Sequence, residues 1–210
     1  MDRDLLQSAL GPDRPVSDRL IDQLQSFLAL STKWNAKINL VARSTIDNAW
    51  RRHIVDSAQI FVCAEEEHSC WLDIGSGGGF PGIVIAILAE HFLPHLQVHL
   101  VESDRRKSVF LTHAGRVLGL GIQVSTCRIE DLPPQKADVV SARALAPLSQ
   151  LCSYAAPHLG EKGVCAFLKG ENAVDEIAQA RKDWLFDLDC RASITEPRAS
   201  VIFLRRLAHA

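Results

Sequence analysis

Between residues 70 and 82 the chain leaves an apolar run, Cys70-Trp71-Leu72, passes an acid at Asp73, and enters a loop holding Gly75, Gly77, Gly78 and Gly79. An apolar helical pattern follows at once, opened by Phe80-Pro81-Gly82. So much glycine costs conformational entropy unless the backbone must adopt positive φ or admit something closer than a Cβ allows. A strand, a glycine turn and a helix in that order mark the cofactor end of a doubly wound α/β sheet. A turn that merely reverses the chain is the plain alternative, and it leaves the clustering of four glycines without a purpose.

Two cofactor classes use such a turn. Counted from Gly77, the loop satisfies G-x-G-x-x-G through Gly79 and Gly82, with Glu102 twenty residues further on. That is the fingerprint of nicotinamide-dependent oxidoreductases. Counted from Asp73, it is acid-x-G-x-G-x-G, the first motif of class I methyltransferases that use S-adenosylmethionine. An acid at the strand tip repels a pyrophosphate but not a zwitterionic sulfonium ligand. Pro81 also suits the first turn of a helix. Both points favour the methyltransferase.

Downstream, short apolar runs alternate with amphipathic segments. Strands are expected at 70–74, 97–102, 122–127, 137–142 and 163–168, and helices at 81–92, 104–118, 146–158 and 172–182. This alternation predicts a Rossmann-like, mostly parallel sheet covered on both faces. A last strand over 199–207, paired with 185–192, supplies an antiparallel edge. Residues 1–68 read instead as a helical extension preceding a methyltransferase domain at 69–210. Ser17 caps a helix whose apolar face is Leu20, Ile21, Leu24, Phe27 and Leu28, and a second helical pattern over 46–64 carries Ile46, Ala49, Trp50, Ile54, Ala58 and Phe61. Lys33 to Leu40 is too polar and irregular for a core helix.

Composition limits the partners. With 47% hydrophobic residues the chain can fold around a core, and its net charge of −2 confines any nucleic-acid contact to a local patch. No 18-residue apolar run is present, and Met1-Asp2-Arg3-Asp4 lacks a signal-peptide core, so a cytoplasmic protein without a membrane span is expected. Six scattered cysteines form no C-x-x-C, and eight histidines show no paired ligand spacing. Reduced thiols and no metal are therefore expected.

Ligands of such sheets bind beyond the C-terminal strand ends. Those ends gather Asp73, Glu102, Glu130, Arg143 and Lys169 on one rim. With the rim assembled, the chain resembles the bacterial 16S ribosomal RNA guanine-N7 methyltransferases of the glucose-inhibited division protein B type. The resemblance runs over nearly the whole chain. It rests on Trp34-Asn35-Ala36-Lys37-Ile38-Asn39-Leu40, Arg52-His53-Ile54-Val55-Asp56-Ser57, the glycine loop, Arg128-Ile129-Glu130-Asp131, Ser141-Ala142-Arg143-Ala144 and Leu168-Lys169-Gly170. The fifth of these, Ser141-Ala142-Arg143-Ala144, departs mildly from the rest of the family, whose usual run is Ser-Arg-Ala. The glycine loop is shared by a whole superfamily, whereas the tryptophan-asparagine and arginine-histidine segments in that order are far more selective.

The resemblance implies S-adenosylmethionine as methyl donor and a guanine of 16S ribosomal RNA, free or within the small subunit, as acceptor. A monomer is expected. By resemblance the cofactor positions are Gly75, Phe80, Ile129, Glu130 and Arg143. The loop and strand ends add Asp73, Gly77, Gly79 and Glu102. Glu102 suits the ribose hydroxyls, and Ile129 with Glu130 suits the adenine. Asp73 either meets the donor or holds the glycine turn.

Arg143, Lys169 and Asn39 are the expected catalytic groups. A guanidinium at Arg143 can fork onto a carboxylate or phosphate, the alternative being an ion pair to Glu130 or Asp73. Asn39 either enters the acceptor pocket or caps the next segment, and His53 reads as structural. Lys33, Lys37, Arg43, Arg51 and Arg52, near Trp34 and Trp50, form a basic, aromatic stretch suited to RNA. Arg105 and Arg106 open a helix against its dipole, which also points to RNA. A methyltransferase of small molecules or proteins is the alternative function.

Overall fold

The computed structural model describes residues 2–210, leaving aside the side chains of Arg43 and Ile46. The expected place of Ile46 on an apolar helix face, and of the Arg43 side chain in a basic patch, therefore lie outside the described residues. Seven strands form one sheet: β1 (Cys70–Ile74), β2 (Gln97–Val101), β3 (Gln123–Ser125), β4 (Ala137–Arg143), β5 (Leu159–Lys169), β6 (Trp184–Ala192) and β7 (Ser200–His209). Their order is β3-β2-β1-β4-β5-β7-β6. The first five are parallel, and β7 runs antiparallel to both β5 and β6. The strand order reverses between β1 and β4. This is the topological switch point, where a crevice opens at the C-terminal ends of both strands.

Seven α-helices accompany the sheet: α1 (Arg3–Leu10), α2 (Asp18–Asn35), α3 (Asp56–Ala58), α4 (Gly82–Phe92), α5 (Arg105–Leu118), α6 (Leu148–Ala155) and α7 (Ala173–Ala180). Ser17 caps α2 as its sequence predicts, its side chain accepting from the Leu20 amide. Asp104 caps α5 in the same way. Gly119 closes α5 in the left-handed conformation.

One core layer lies between the first face of the sheet and α1, α2, α4 and α5, and the second packs α6 and α7 onto the other face. Residues 82–89 of α4 are buried on every side, because the N-terminal helices cover the face that would otherwise meet water. Residues of the helical extension such as Leu6, Leu20, Phe27 and Phe61 thus share one core with Trp71, Val84 and Leu100.

The segment expected as one helix over 46–64 is built differently. A 3₁₀ stretch (Arg43–Asn48), a π-helical turn (Trp50–Val55), α3 and a second 3₁₀ stretch (Gln59–Cys63) succeed one another. The π turn adds a residue to the helical period, and so brings His53, Ile54 and Val55 all into the interior. No helix among the described residues is long and apolar enough to cross a membrane.

Candidate active site

Alternation along β1 aims Trp71 and Asp73 toward the α4 layer. Trp71 Nε1 donates to Ser141 Oγ at 2.8 Å, and Ser141 Oγ donates to Asp73 Oδ1 at 2.6 Å. Asp73 is fully buried beneath the first turn of α4, and its Oδ2 has no hydrogen-bond partner among the described residues. Burial pushes its carboxyl up to about 6, opposed chiefly by the Ser141 hydroxyl. Asp73 thus stands beneath the Gly82 end of the loop, where a Cβ on Gly82 would meet its Oδ2.

The glycines divide into two sets. Gly75 and Gly77 have φ of +68° and +53°, and a Cβ on Gly77 would meet only the Gly75 carbonyl oxygen at 3.7 Å. The loop is therefore open at Gly77, whereas Gly75 faces the Leu145 side chain. Gly78, Gly79 and Gly82 face protein instead. A Cβ on Gly79 would lie 2.7 Å from Ile83 Cγ1, one on Gly78 2.9 Å from the Leu40 carbonyl oxygen, and one on Gly82 2.5 Å from Asp73 Oδ2. Phe80 belongs with this second set. Its ring is wedged between Phe27 and His53 at 5.0 and 4.9 Å, with the Arg143 guanidinium 5.2 Å from its centroid.

Glu102 ends β2 and is nearly buried. Its Oε2 accepts from the Gly77 amide at 2.8 Å and its Oε1 from the Asp104 amide at 2.7 Å. The carboxylate therefore holds the open limb of the loop while keeping acceptor capacity on both oxygens. Beside it a pocket of about 60 Å³ is lined by Gly75, Ser103, Ile129, Glu130, Leu145 and Tyr154 among others. Leu145 closes its outer side, its Cδ1 lying 2.6 Å from where a Cβ on Gly75 would stand. Ile129 is buried and Glu130 exposed, both in a 3₁₀ turn after β3.

On the far side of the loop lies a larger cavity of about 410 Å³, whose walls include Leu40, Thr45, His53, Asp56, Arg143 and Lys169. Arg143 pairs with Asp56, and not with Glu130 or Asp73, the partners its alternative reading offered: Nη1 stands 3.5 Å from Asp56 Oδ2 and donates to the Arg52 carbonyl oxygen at 3.0 Å. Burial draws its pKa down while Asp56 holds it up, and a guanidinium remains a cation under both influences. Lys169 Nζ pairs with Glu176 at 2.6 Å and donates to the Ala146 carbonyl oxygen at 2.9 Å. Two of its three N–H donors are thus committed to holding the connection after β4.

Asn39 is exposed and lines a shallow cleft with Leu40, Val41 and Ala42. The neighbouring Asn35, which no sequence signal singled out within its motif, shapes that cleft. Its Oδ1 accepts from the Leu40 and Val41 amides at 2.7 and 3.0 Å. His53 sits behind Phe80 with Nε2 2.8 Å from Thr45 Oγ1. Burial, followed by the Arg143 and Arg52 charges, pushes its pKa down to about 4.

The basic residues separate in space. Arg51 Nε donates to the Thr195 carbonyl oxygen, and Arg52 pairs with Glu196 at 2.8 Å, so both fasten the extension to the turn between β6 and β7. Lys33 and Lys37 lie exposed at the end of α2, which packs on α5, the helix that opens with exposed Arg105 and Arg106. Between them Trp34 rests on Phe110 and His113, at the edge of a groove of about 360 Å³ that reaches Arg116. Among the described residues Lys33, Lys37 and Arg105 make no ion pair, while Arg106 reaches Asp104.

A seven-stranded sheet of this order, with an acid-glycine loop at its switch point that is open at Gly77, defines a class I methyltransferase with S-adenosylmethionine as donor. The solved structure of a SAM-dependent methyltransferase from Aquifex aeolicus shares this fold, with a TM-score of 0.59 at 11% identity over 79% of this chain and 98% of that one. A family model described as "GidB: rRNA small subunit methyltransferase G" matches residues 20–200. The protein named ribosomal RNA small subunit methyltransferase G of Cereibacter sphaeroides is 47% identical over 98% of this chain and 100% of its own length. Its namesake in Rhodospirillum rubrum is 43% identical over 92% and 94%. The chain belongs to the rRNA small subunit methyltransferase G family. That membership sets aside the nicotinamide alternative.

Proposed function

We propose that this enzyme methylates N7 of one guanine in 16S ribosomal RNA, in the cytoplasm. The family match spanning almost the whole chain carries the choice of substrate. The residues of the cleft fit the donor. Gly75 and Gly77 cradle it, Glu102 faces its ribose, Ile129 and Glu130 meet its adenine, and Arg143 lies toward its methionine end. When bound, S-adenosylmethionine supplies a sulfonium methyl group that a lone pair can displace without any proton transfer.

Guanine N7 carries such a lone pair and no proton, so the site needs no general base. His53, uncharged at neutral pH and stacked on Phe80, serves as structure. Arg143 and Lys169 hold cationic N–H donors at the cavity wall, which suits the guanine O6 beside N7. Asn39 lines a separate cleft that shares Leu40, Val41 and Ala42 with the cavity. The helical extension, residues 1–68, carries part of the RNA surface. Lys33, Lys37, Arg105 and Arg106 meet phosphates, and Trp34 offers a stacking face. Arg51 and Arg52, committed to the β6–β7 turn, shape the cavity.

The test is direct. Purified enzyme, labelled donor and small-subunit particles lacking the modification are combined, and the product is mapped by mass spectrometry. One 7-methylguanine in 16S RNA is expected. A methyl group on another atom, or on no RNA at all, refutes the proposal.

A further inference from the structure

We infer that Asp56 reads the Watson–Crick edge of the acceptor guanine and stabilises the charge that methylation creates; this rests on the function proposed above. Two carboxylates line the larger cavity, Asp56 and Glu196. Glu196 is the more exposed of the two, at 35% against 17%, and is tied to Arg52 at 2.8 Å. Asp56 is held from behind. Its Oδ1 accepts from Thr195 Oγ1 at 2.7 Å and from Gln59 Nε2 at 3.2 Å, and Gln59 in turn donates to Ser193 Oγ. Among the described residues its Oδ2 meets the Arg143 guanidinium alone, at 3.5 Å.

A carboxylate has about four acceptor sites, so Oδ2 keeps room for two more donors. A 3.5 Å separation is long for an ion pair. It suits two groups that meet neighbouring atoms of one ring: Arg143 donating to guanine O6, Asp56 accepting from N1–H and the 2-amino group. Adenine reverses this pattern. It places an amino group against the arginine and a bare N1 lone pair against the carboxylate, so the same pair repels it.

The arrangement also bears on rate. As the N7 lone pair becomes the new N–C bond, the positive charge that leaves sulfur appears on the purine. A neutral base becomes a cation with a more acidic N1–H. A fixed carboxylate on that edge therefore binds the methylated ring more strongly than the starting base, which is the condition for lowering the barrier. In the chain this acid stands in the Arg52-His53-Ile54-Val55-Asp56-Ser57 motif, yet what makes it a reader is Thr195, 139 residues away.

A synthetic RNA carrying guanine or inosine at the mapped position tests this, because inosine lacks only the 2-amino group. With the wild-type enzyme, kcat/KM is expected to fall about 10- to 100-fold on inosine, the range for a lost hydrogen bond to a charged group. Asp56→Asn should lose a comparable factor on guanine RNA, bring the guanine-to-inosine ratio close to one, and keep its affinity for the methyl donor. Glu196→Gln should keep the wild-type ratio. A wild-type enzyme indifferent to inosine, a D56N ratio equal to the wild type's, or a ratio lost in E196Q instead would each overturn the inference. If D56N fails to fold, the wild-type ratio decides, and Thr195→Val, which loosens the carboxylate, should lower that ratio. Failure of the wild type to methylate guanine RNA at all would sink the proposed function itself.

Discussion

The two sides of the cleft are built by different means. The side we propose for the donor is made largely of backbone: positive-φ glycines, a strand-end carboxylate that accepts two amides, and a 3₁₀ turn. Along the chain each of these lies about one βα unit from the next. The side we propose for the acceptor is made of side chains from distant segments. Arg143 binds the Arg52 carbonyl 91 residues away, Arg52 reaches Glu196 across 144, and Asp56 reaches Thr195 across 139. A cofactor shared by many enzymes can be held by a local backbone shape. A particular base has to be met by side chains converging on it.

Paired substitutions in the loop can break this division most sharply. Gly79→Val forces a side chain against Ile83 and Phe27 at φ +83°. Overpacking and left-handed strain together should cost about 3–5 kcal/mol, read from urea unfolding. Gly77→Val meets open space, so its stability loss should stay near the strain alone, about 1–2 kcal/mol. Donor binding by calorimetry should nevertheless drop at least about tenfold, the value of one lost close contact. Equal stability losses in the two variants would show that the loop has no open side.

A smaller effect is expected on the RNA surface. Reversing Lys33, Lys37 and Arg105 to glutamate should weaken RNA binding and flatten its salt dependence by about 0.7 to 0.9 per lost phosphate contact. Donor affinity should not change. An unaltered salt slope would move the RNA face elsewhere on the molecule.

The smallest effect is a pH dependence, and two buried groups contribute to it with opposite signs. His53 has a folded pKa of about 4 against 6.5 unfolded, so its contribution is complete above pH 6.5 and is lost as the pH falls toward 4. Asp73 has a folded pKa of about 6 against 3.8 unfolded, so its contribution is complete below 3.8 and is lost as the pH rises through 6. His53→Gln removes the first and leaves the second. Its Tm relative to wild type should rise between pH 6.5 and 4. Parallel Tm curves across that window would exclude His53 as the buried group that resists protonation.

The sheet was legible because each strand and helix declares itself within a few residues. Expected strands at 70–74 and 137–142 and helices at 81–92 and 104–118 agree with the observed elements to within a residue. The strand expected at 122–127 is shorter, since past Ser125 the chain leaves the β2 ladder, and α6 ends at Ala155 in a 3₁₀ turn around Pro157. The stretch over 46–64 misled because a π turn shifts the helical period, and side-chain spacing alone assumes that period constant. Asp56, Glu176 and Thr195 were not singled out for the site. Asp56 at least stands in a selective motif, whereas nothing near Glu176 or Thr195 marks them.

By its order of residues alone, this chain determines a glycine loop that needs a ligand, an acid that leads into it, and strands and helices in the sequence of a doubly wound sheet. These follow from preferences acting over one to four residues. Only the folded molecule decided that Asp73 lies under the turn, that Phe80 faces inward, and that Arg143 meets Asp56 within a cavity shared by the helical extension and the β6–β7 turn. Those outcomes depend on which distant segments compete for the same buried space and charge, and no local preference contains that information.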